Sequence, residues 1–261
     1  MTAAAPGGRL RGRRIVVTRP AGQNERLAAL IRAEGGEPIV FPALAILDPG
    51  DVRPLAAAAD RLDAYDLAVF VSPSAVDKAL PVIRARREWP AGLKAATVGR
   101  GSEEALHRYG VAEVIVPAER FDSEALLERP ELADVAGRRV VIFRGDGGRE
   151  LLGDTLRGRG ATVDYVECYR RAPPTADPGP LARAWERGEV DAVTIGSREG
   201  LRNLLDLLGA DGRERLQQTA LFAPHPRIAA TARALGCRRV IETPPGDEGI
   251  AAALAAFWER M

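Results

Sequence analysis

The sequence has little with which to hold a metal or a covalent framework. Its two cysteines, Cys168 and Cys237, lie in neither a CxxC nor a Cys/His spacing. A disulfide scaffold and a zinc site are therefore not expected, and a reducing cytosol is the natural compartment. No apolar run approaches the roughly 20 residues that a membrane-spanning helix needs. The opening stretch, Met1 to Arg14, has arginines but no apolar segment of the kind found in a secretory signal. Lys+Arg 37 against Asp+Glu 36 leaves a net charge of +1, so no overall field recruits nucleic acid. Any recognition of anions has to be local. The phosphate-binding loop GxxxxGK[ST] is missing as well. Two glycine-rich stretches fall short of GxGxxG, because Glu150 and Glu104 stand where the last glycine is required. A nucleotide or sugar-phosphate enzyme is disfavoured.

What is present is a duplication. Gly12-Arg13-Arg14-Ile15-Val16-Val17-Thr18-Arg19 returns as Gly137-Arg138-Arg139-Val140-Val141-Ile142-Phe143-Arg144, an offset of 125 residues. At the same offset Glu25 meets Glu150, Asp66 meets Asp191, Ser72 meets Ser197 and Asp122 meets Asp247. Chance rarely holds one register so far, and each copy carries one pattern of elements. Short apolar runs such as Ile15–Val17, Leu67–Val71 and Val140–Ile142 have the composition of strands buried on both faces. Amphipathic helical stretches follow them, stopped by Gly35-Gly36 in one copy and Gly160 in the other. Repeated strand–helix units predict parallel, doubly wound (flavodoxin-like) sheets. Two segments, Phe41–Ile46 and Val166–Arg171, look extended and precede proline-rich loops, which suggests connections between domains. Residues 1–10 read as a disordered tail.

In open parallel sheets, ligands bind beyond the carboxyl ends of the strands, where helix N-termini point their N–H groups. Ser72, followed by Pro73 and Ser74, suits a helix cap, and Ser197 stands at the matching place. One such serine is most simply a cap, whereas two facing one ligand would cradle a carboxylate. Arg19 and Arg144 end equivalent strands, where an arginine either forks onto a ligand carboxylate or pairs with a neighbouring Asp or Glu. His225, stiffened between Pro224 and Pro226 and followed by Arg227, suits an anion contact or proton donation. His107 falls on an exposed helix face. Tyr169 lies on one of the extended segments, and a tyrosine phenol, protonated at neutral pH, can act as a general acid or simply pack.

These residues resemble the uroporphyrinogen-III synthase family from Gly12 onward. The resemblance is carried by Val17-Thr18-Arg19-Pro20, Phe70-Val71-Ser72-Pro73-Ser74, Val98-Gly99 and Phe121-Asp122-Ser123-Glu124. With them go Arg144-Gly145-Asp146-Gly147-Gly148-Arg149, Glu167-Cys168-Tyr169-Arg170-Arg171, Gly196-Ser197-Arg198-Glu199 and His225-Pro226-Arg227-Ile228-Ala229. No single motif is specific; their order and spacing are. The resemblance implies two α/β domains joined by a two-stranded β connection. One would combine 11–41 with 172–261, the other would be 46–166, and 42–45 and 167–171 would link them around a cleft. It implies a cytoplasmic, monomeric enzyme without cofactor or metal that closes hydroxymethylbilane to uroporphyrinogen III, with loss of water and inversion of the last pyrrole ring. Hydroxymethylbilane synthase would be a transient partner upstream; neither nucleic acid nor membrane would be involved. Arg19, Ser72, Ser74, Gly99, Arg144, Gly145, Gly147, Ser197, His225, Pro226 and Arg227 become candidate substrate contacts, and Tyr169 the candidate acid. The competing class is a two-lobed binding module that closes on a small molecule without chemistry.

Overall fold

The structure is a computed structural model that describes residues 8–259. The first repeat supplies β1 (Arg14–Val17), α1 (Glu25–Ala33), β2 (Glu37–Val40), β3 (Ala45–Leu47) and α2 (Arg53–Asp60). It continues with β4 (Leu67–Phe70), α3 (Pro73–Arg84), β5 (Lys94–Thr97), α4 (Arg100–Arg108), β6 (Val114–Ile115), α5 (Ser123–Leu127) and α6 (Pro130–Ala133). The second supplies β7 (Arg139–Gly145), α7 (Leu151–Gly158), β8 (Thr162–Ala172), α8 (Gly179–Glu186) and β9 (Ala192–Thr194). After these come α9 (Arg198–Gln218), β10 (Ala220–Ala223), α10 (Pro226–Ala234), β11 (Val240–Glu242) and α11 (Gly246–Glu259).

The described strands form a five-stranded sheet, β11-β10-β9-β1-β2, and a six-stranded sheet, β3-β8-β7-β4-β5-β6. Neither sheet belongs to one repeat. β1, which carries β2 on its other side, pairs in parallel with β9 of the second repeat, and β7, which carries β8 on its other side, pairs in parallel with β4 of the first. The chain accordingly divides into two compact units. One holds the described residues up to Ala45 and from Ala172 onward, and the other is Ile46–Arg171.

The pairing between repeats has a specific anchor, and it occurs twice. Asp191 Oδ2 accepts the backbone N–H of Arg14 at 2.8 Å, and Asp66 Oδ2 accepts that of Arg139 at 2.7 Å. Each aspartate also donates its own N–H to the carbonyl of the same arginine, at 2.9 Å in both cases. These four residues are repeat equivalents, so each copy holds the start of the other copy's first strand.

Packing follows the strand period of two. In the unit containing β1, Val16, Val193, Leu221 and Ala223 join one core, while Ile15, Val17, Ala192 and Phe222 join another. In the second unit Phe70 and Phe143, opposite each other on β4 and β7, stack at 4.9 Å among Ala68 and Val141. Leu67, Val69, Val140 and Ile142 form the core on the other face. With apolar residues on both faces, these central strands need helices above and below, which is the doubly wound arrangement. The two cysteines are buried thiols; burial pushes Cys168 up to about 12.

Two expectations need correction. Residues 1–7 lie outside the described part, but Leu10 belongs to no tail: it is fully buried beside Ile15, Leu27 and Ile31, and its N–H bonds Glu34 O at 2.8 Å. A single leucine among glycine and arginine has no periodicity to announce this. Residues 167–171 are not a free-standing connection either. They are the last part of β8, which follows β7 in register from Arg139↔Thr162 to Gly145↔Tyr169, with one irregularity at Arg144/Gly145. β3 (Ala45–Leu47), not 42–45, is the hydrogen-bonded neighbour of β8 at the sheet's edge, and residues 42–44 belong to no strand.

The strand exchange makes a definite prediction. A fragment spanning 45–172 contains a whole sheet and will unfold cooperatively by itself. A fragment spanning 8–134, one complete repeat, has β1 without β9 and will lack a cooperative thermal transition. Circular dichroism melts of both fragments check this.

Candidate active site

At the carboxyl edge of the six-stranded sheet, Ser72 leaves β4 with extended backbone and caps α3. Its Oγ accepts the N–H of Ala75 at 3.1 Å, and Pro73 opens the helix. The same Oγ lies 3.0 Å from the phenol oxygen of Tyr169 on β8. Arg171, two residues on and on the same side of the strand, donates from Nη2 to that phenol oxygen at 3.0 Å, with its guanidinium 5.2 Å from the ring centre. A phenol has one proton to give and lone pairs to accept with. Arg171 donates into the phenol oxygen, and either hydroxyl can donate in the bond between Tyr169 and Ser72.

The junction is tightly framed. Tyr169 is only 2% exposed, and its ring lies so close to Gly145 that a Cβ there would approach it to 2.6 Å. Asp146 N–H bonds Tyr169 O at 2.9 Å, and the Asp146 carboxylate accepts Arg171 N–H at 3.0 Å. Tyr169 is therefore packed, with its hydroxyl engaged by neighbouring polar groups. Ser72, which is half-buried, is the outward member of the pair.

The remaining residues of this edge have diverse roles. Gly99 is the extended N-cap of α4, and Ser74 is buried in the first turn of α3. Arg144 is nearly buried; it donates to Gly147 O at 3.2 Å and to Glu150 at 2.8 Å, and lies 4.7 Å over the Tyr165 ring. That guanidinium holds the Glu150 carboxyl below its usual range. Gly147 supplies the positive φ of 68° that lets the loop turn back beneath Arg144. Of the two alternatives for Arg144, the structure has the ion pair with a neighbouring carboxylate.

In the five-stranded sheet, Ser197 caps α9, its Oγ accepting Gly200 N–H at 2.9 Å. Its setting differs from that of Ser72, because the repeat equivalent of Tyr169 is Leu44. His225 caps α10, with Nδ1 accepting Arg227 N–H at 3.1 Å and Pro226 in the first turn. A neutral imidazole in this geometry carries its proton on Nε2, so His225 presents a donor. Arg19 leaves the end of β1 and pairs with Asp247 in the first turn of α11. β10, β9 and β1 are neighbours, which brings the loops carrying His225, Ser197 and Arg19 to one edge. Among the described residues no three His, Cys, Asp or Glu side chains gather as a metal site.

Sequence reasoning assigned no role to Arg171 or Asp247. Arg171 could have been found from the i, i+2 spacing to Tyr169 once that segment was taken as a strand in a sheet.

The sequence profile of the family described as Uroporphyrinogen-III synthase HemD matches residues 25–252. The uroporphyrinogen-III synthase of Escherichia coli K12 is 37% identical over 225 residues, covering 85% of this chain and 91% of that protein. The chain belongs to the uroporphyrinogen-III synthase family. Solved structures agree on the fold: a mutant uroporphyrinogen III synthase from the extremely thermophilic bacterium Thermus thermophilus has a TM-score of 0.60 at 21% identity, covering 95% of this chain and 98% of that one. The uroporphyrinogen-III synthetase of Helicobacter pylori 26695 has a TM-score of 0.56 at 12% identity, covering 94% and 99%. The residues matched by the synthase profile include Ser72, Gly145, Tyr169, Arg171, Ser197 and His225 but not Arg19.

Gly145 tests the frame of this candidate site. Gly145→Ala forces the Tyr169 ring off Ser72 and will lower type III product formation by tenfold or more, with a stability loss of about 1–3 kcal/mol. Gly92→Ala, which meets nothing within 4 Å, serves as the neutral control. Steady-state rates and thermal melts of the two variants check this.

Proposed function

We propose that the chain acts on hydroxymethylbilane, and that the Ser72–Tyr169–Arg171 junction assists the step in which the substrate loses its hydroxyl. The activity itself, that of a uroporphyrinogen-III synthase and so of a hydro-lyase, follows from membership of the family. In the reaction, the hydroxyl leaves the first ring with a proton, as water, and an azafulvene-type cation remains. The last ring attacks through its substituted carbon, forming a spiro intermediate. That intermediate fragments and recloses with the ring inverted, and loss of a proton restores the pyrrole. Because the free substrate can close unaided to the other isomer, the protein's contribution is orientation and help for the departing hydroxyl.

The observation that carries this reading is the hydrogen bond between Ser72 and the buried phenol of Tyr169. A neutral donor is what a departing hydroxide needs, and such assistance is worth roughly 10²–10⁴-fold. Ser72 is the member that reaches the ligand. As its hydroxyl gives up a proton, the Tyr169 proton passes to Ser72 Oγ, and Arg171 stabilises the charge left on the phenol oxygen. Each unit by itself offers helix N-termini suited to carboxylate arms, capped at Ser72 and Gly99 in one and at Ser197 and His225 in the other, with Ser74, Gly145 and Gly147 shaping the loops of the first and Pro226 and Arg227 those of the second. Arg19 supplies a cation for one arm, while Arg144 braces its own loop through Gly147 and Glu150. A monomer in the cytoplasm, taking an unstable substrate from hydroxymethylbilane synthase, completes the proposal. No described helix is long and apolar enough to cross a membrane.

Incubation with freshly generated hydroxymethylbilane, followed by separation of the type I and III isomers, tests the reaction. Type III product is expected, and type I alone would contradict it. For the junction, Tyr169→Phe and Ser72→Ala are each expected to cut turnover about a hundredfold or more, with smaller changes in KM. The double variant will be little worse than either, because the two groups act as one unit. His225→Ala will weaken turnover and binding more evenly. Wild-type turnover in Tyr169→Phe would show that departure of the hydroxyl is assisted elsewhere.

A further inference from the structure

Arg19 and Asp247 form an ion pair that leaves polar atoms of both side chains without a hydrogen-bond partner. Arg19 Nη2 and Asp247 Oδ1 meet at 2.5 Å, with the side chains 23% and 11% exposed. Arg19 Nε and Asp247 Oδ1 are both buried without a hydrogen-bond partner of proper geometry. A guanidinium takes a carboxylate best in a two-pronged fork, and this one makes a single contact. Burial pushes the Asp247 carboxyl above its ordinary range; Arg19 only partly offsets that, and Glu248 adds to it.

The duplication shows what the scaffold does when the same residues are purely structural. Arg144 and Asp122 are the repeat equivalents of Arg19 and Asp247. In their unit each finds a local role instead. Arg144 is braced by Gly147 O, Glu150 and the Tyr165 ring, and Asp122 caps α5 by accepting Ala125 N–H at 2.8 Å. The equivalent of Glu150 is Glu25, which stands exposed at the start of α1 and makes no such brace to Arg19. One copy thus satisfies both groups locally. The other leaves a partly exposed guanidinium, with donors to spare, against a carboxylate that is itself incompletely satisfied.

We propose that Asp247 is a resident counter-carboxylate, holding Arg19 in the free enzyme and yielding the guanidinium to an acetate or propionate arm of the linear tetrapyrrole. Asp247 is then a positioning residue that acts through Arg19. It keeps the cation aimed and partly neutralised, and it lowers affinity for the arm that replaces it. The inference rests on the reading of Arg19 as a substrate contact, and the experiment separates the two.

KM for hydroxymethylbilane, measured through type III product, is compared in wild type, Asp247→Asn, Arg19→Gln and the double variant. Arg19→Gln is expected to raise KM tenfold or more, with a smaller change in kcat. Asp247→Asn, which keeps the shape and removes the competing charge, is expected to lower KM about three- to tenfold. In the double variant KM should equal that of Arg19→Gln alone, because Asp247 has nothing left to compete for. If Asp247→Asn does not fold, as judged by its melt, Asp247→Ser carries the same expectation. A KM that rises or stays unchanged in an Asp247 variant, with Arg19→Gln still raising it, overturns the counter-carboxylate. An unchanged KM in Arg19→Gln overturns the substrate contact beneath it.

Discussion

Two aspartates hold this fold in its exchanged form. Asp191 grips both backbone groups of Arg14 at the start of β1, and Asp66 grips those of Arg139 at the start of β7. Each contact joins one repeat to the other, and each sets the register of a parallel pair in which a shift of one residue would move every apolar side chain to the wrong core. With that register fixed, Ile15 faces one helical layer and Val16 the other, and Phe70 comes to lie against Phe143. Neither repeat can complete a sheet from its own strands in this arrangement. The chain must cross from one unit to the other twice, at Ala45–Ile46 and Arg171–Ala172.

The same register decides which residues meet at the carboxyl edges. Because β7 lies between β4 and β8, the cap after β4 and the end of β8 are brought to either side of Gly145. A side chain at 145 would block the approach, so Tyr169 can reach Ser72 only because that position is glycine. The other unit has the matching serine cap but a leucine in place of the tyrosine, and there an arginine and an aspartate remain partly unsatisfied. Duplication supplied two similar edges that have since taken different tasks. One holds the Ser72–Tyr169 hydrogen bond, and the other the Arg19–Asp247 ion pair.

Much of this was legible in the sequence. The 125-residue offset, the buried apolar runs and the glycines after the helices identified repeated strand–helix units, and Ser72, Ser197 and His225 lie where strands hand over to helices. Other features had no local signal. Leu10 is an isolated apolar residue, and β2 reads Glu37-Pro38-Ile39-Val40, where proline and a charge mask an edge strand. β8 mixes Asp164, Glu167 and Arg170 among its apolar residues because it has only the short β3 on its outer side. Its polar character made it look like a connector, and this also concealed how deeply Tyr169 is buried. The partners of Arg19 and Arg144 were undecidable from sequence, since equivalent arginines bind a carboxylate distant in the chain in one case and six residues away in the other.

Amide hydrogen exchange in the full chain, with and without Asp191→Ala, tests the exchanged pairing most directly. Removing a hydrogen bond to this carboxylate costs about 1 kcal/mol, or roughly fivefold in the rate of opening. If β1 is completed by the second repeat, the amides of Ile15–Val17 and Leu221–Ala223 will accelerate together, and by more than those of Val69 and Phe70. Acceleration of Val69 and Phe70 with Ile15–Val17 left unchanged would place Asp191 in the other sheet and contradict the account.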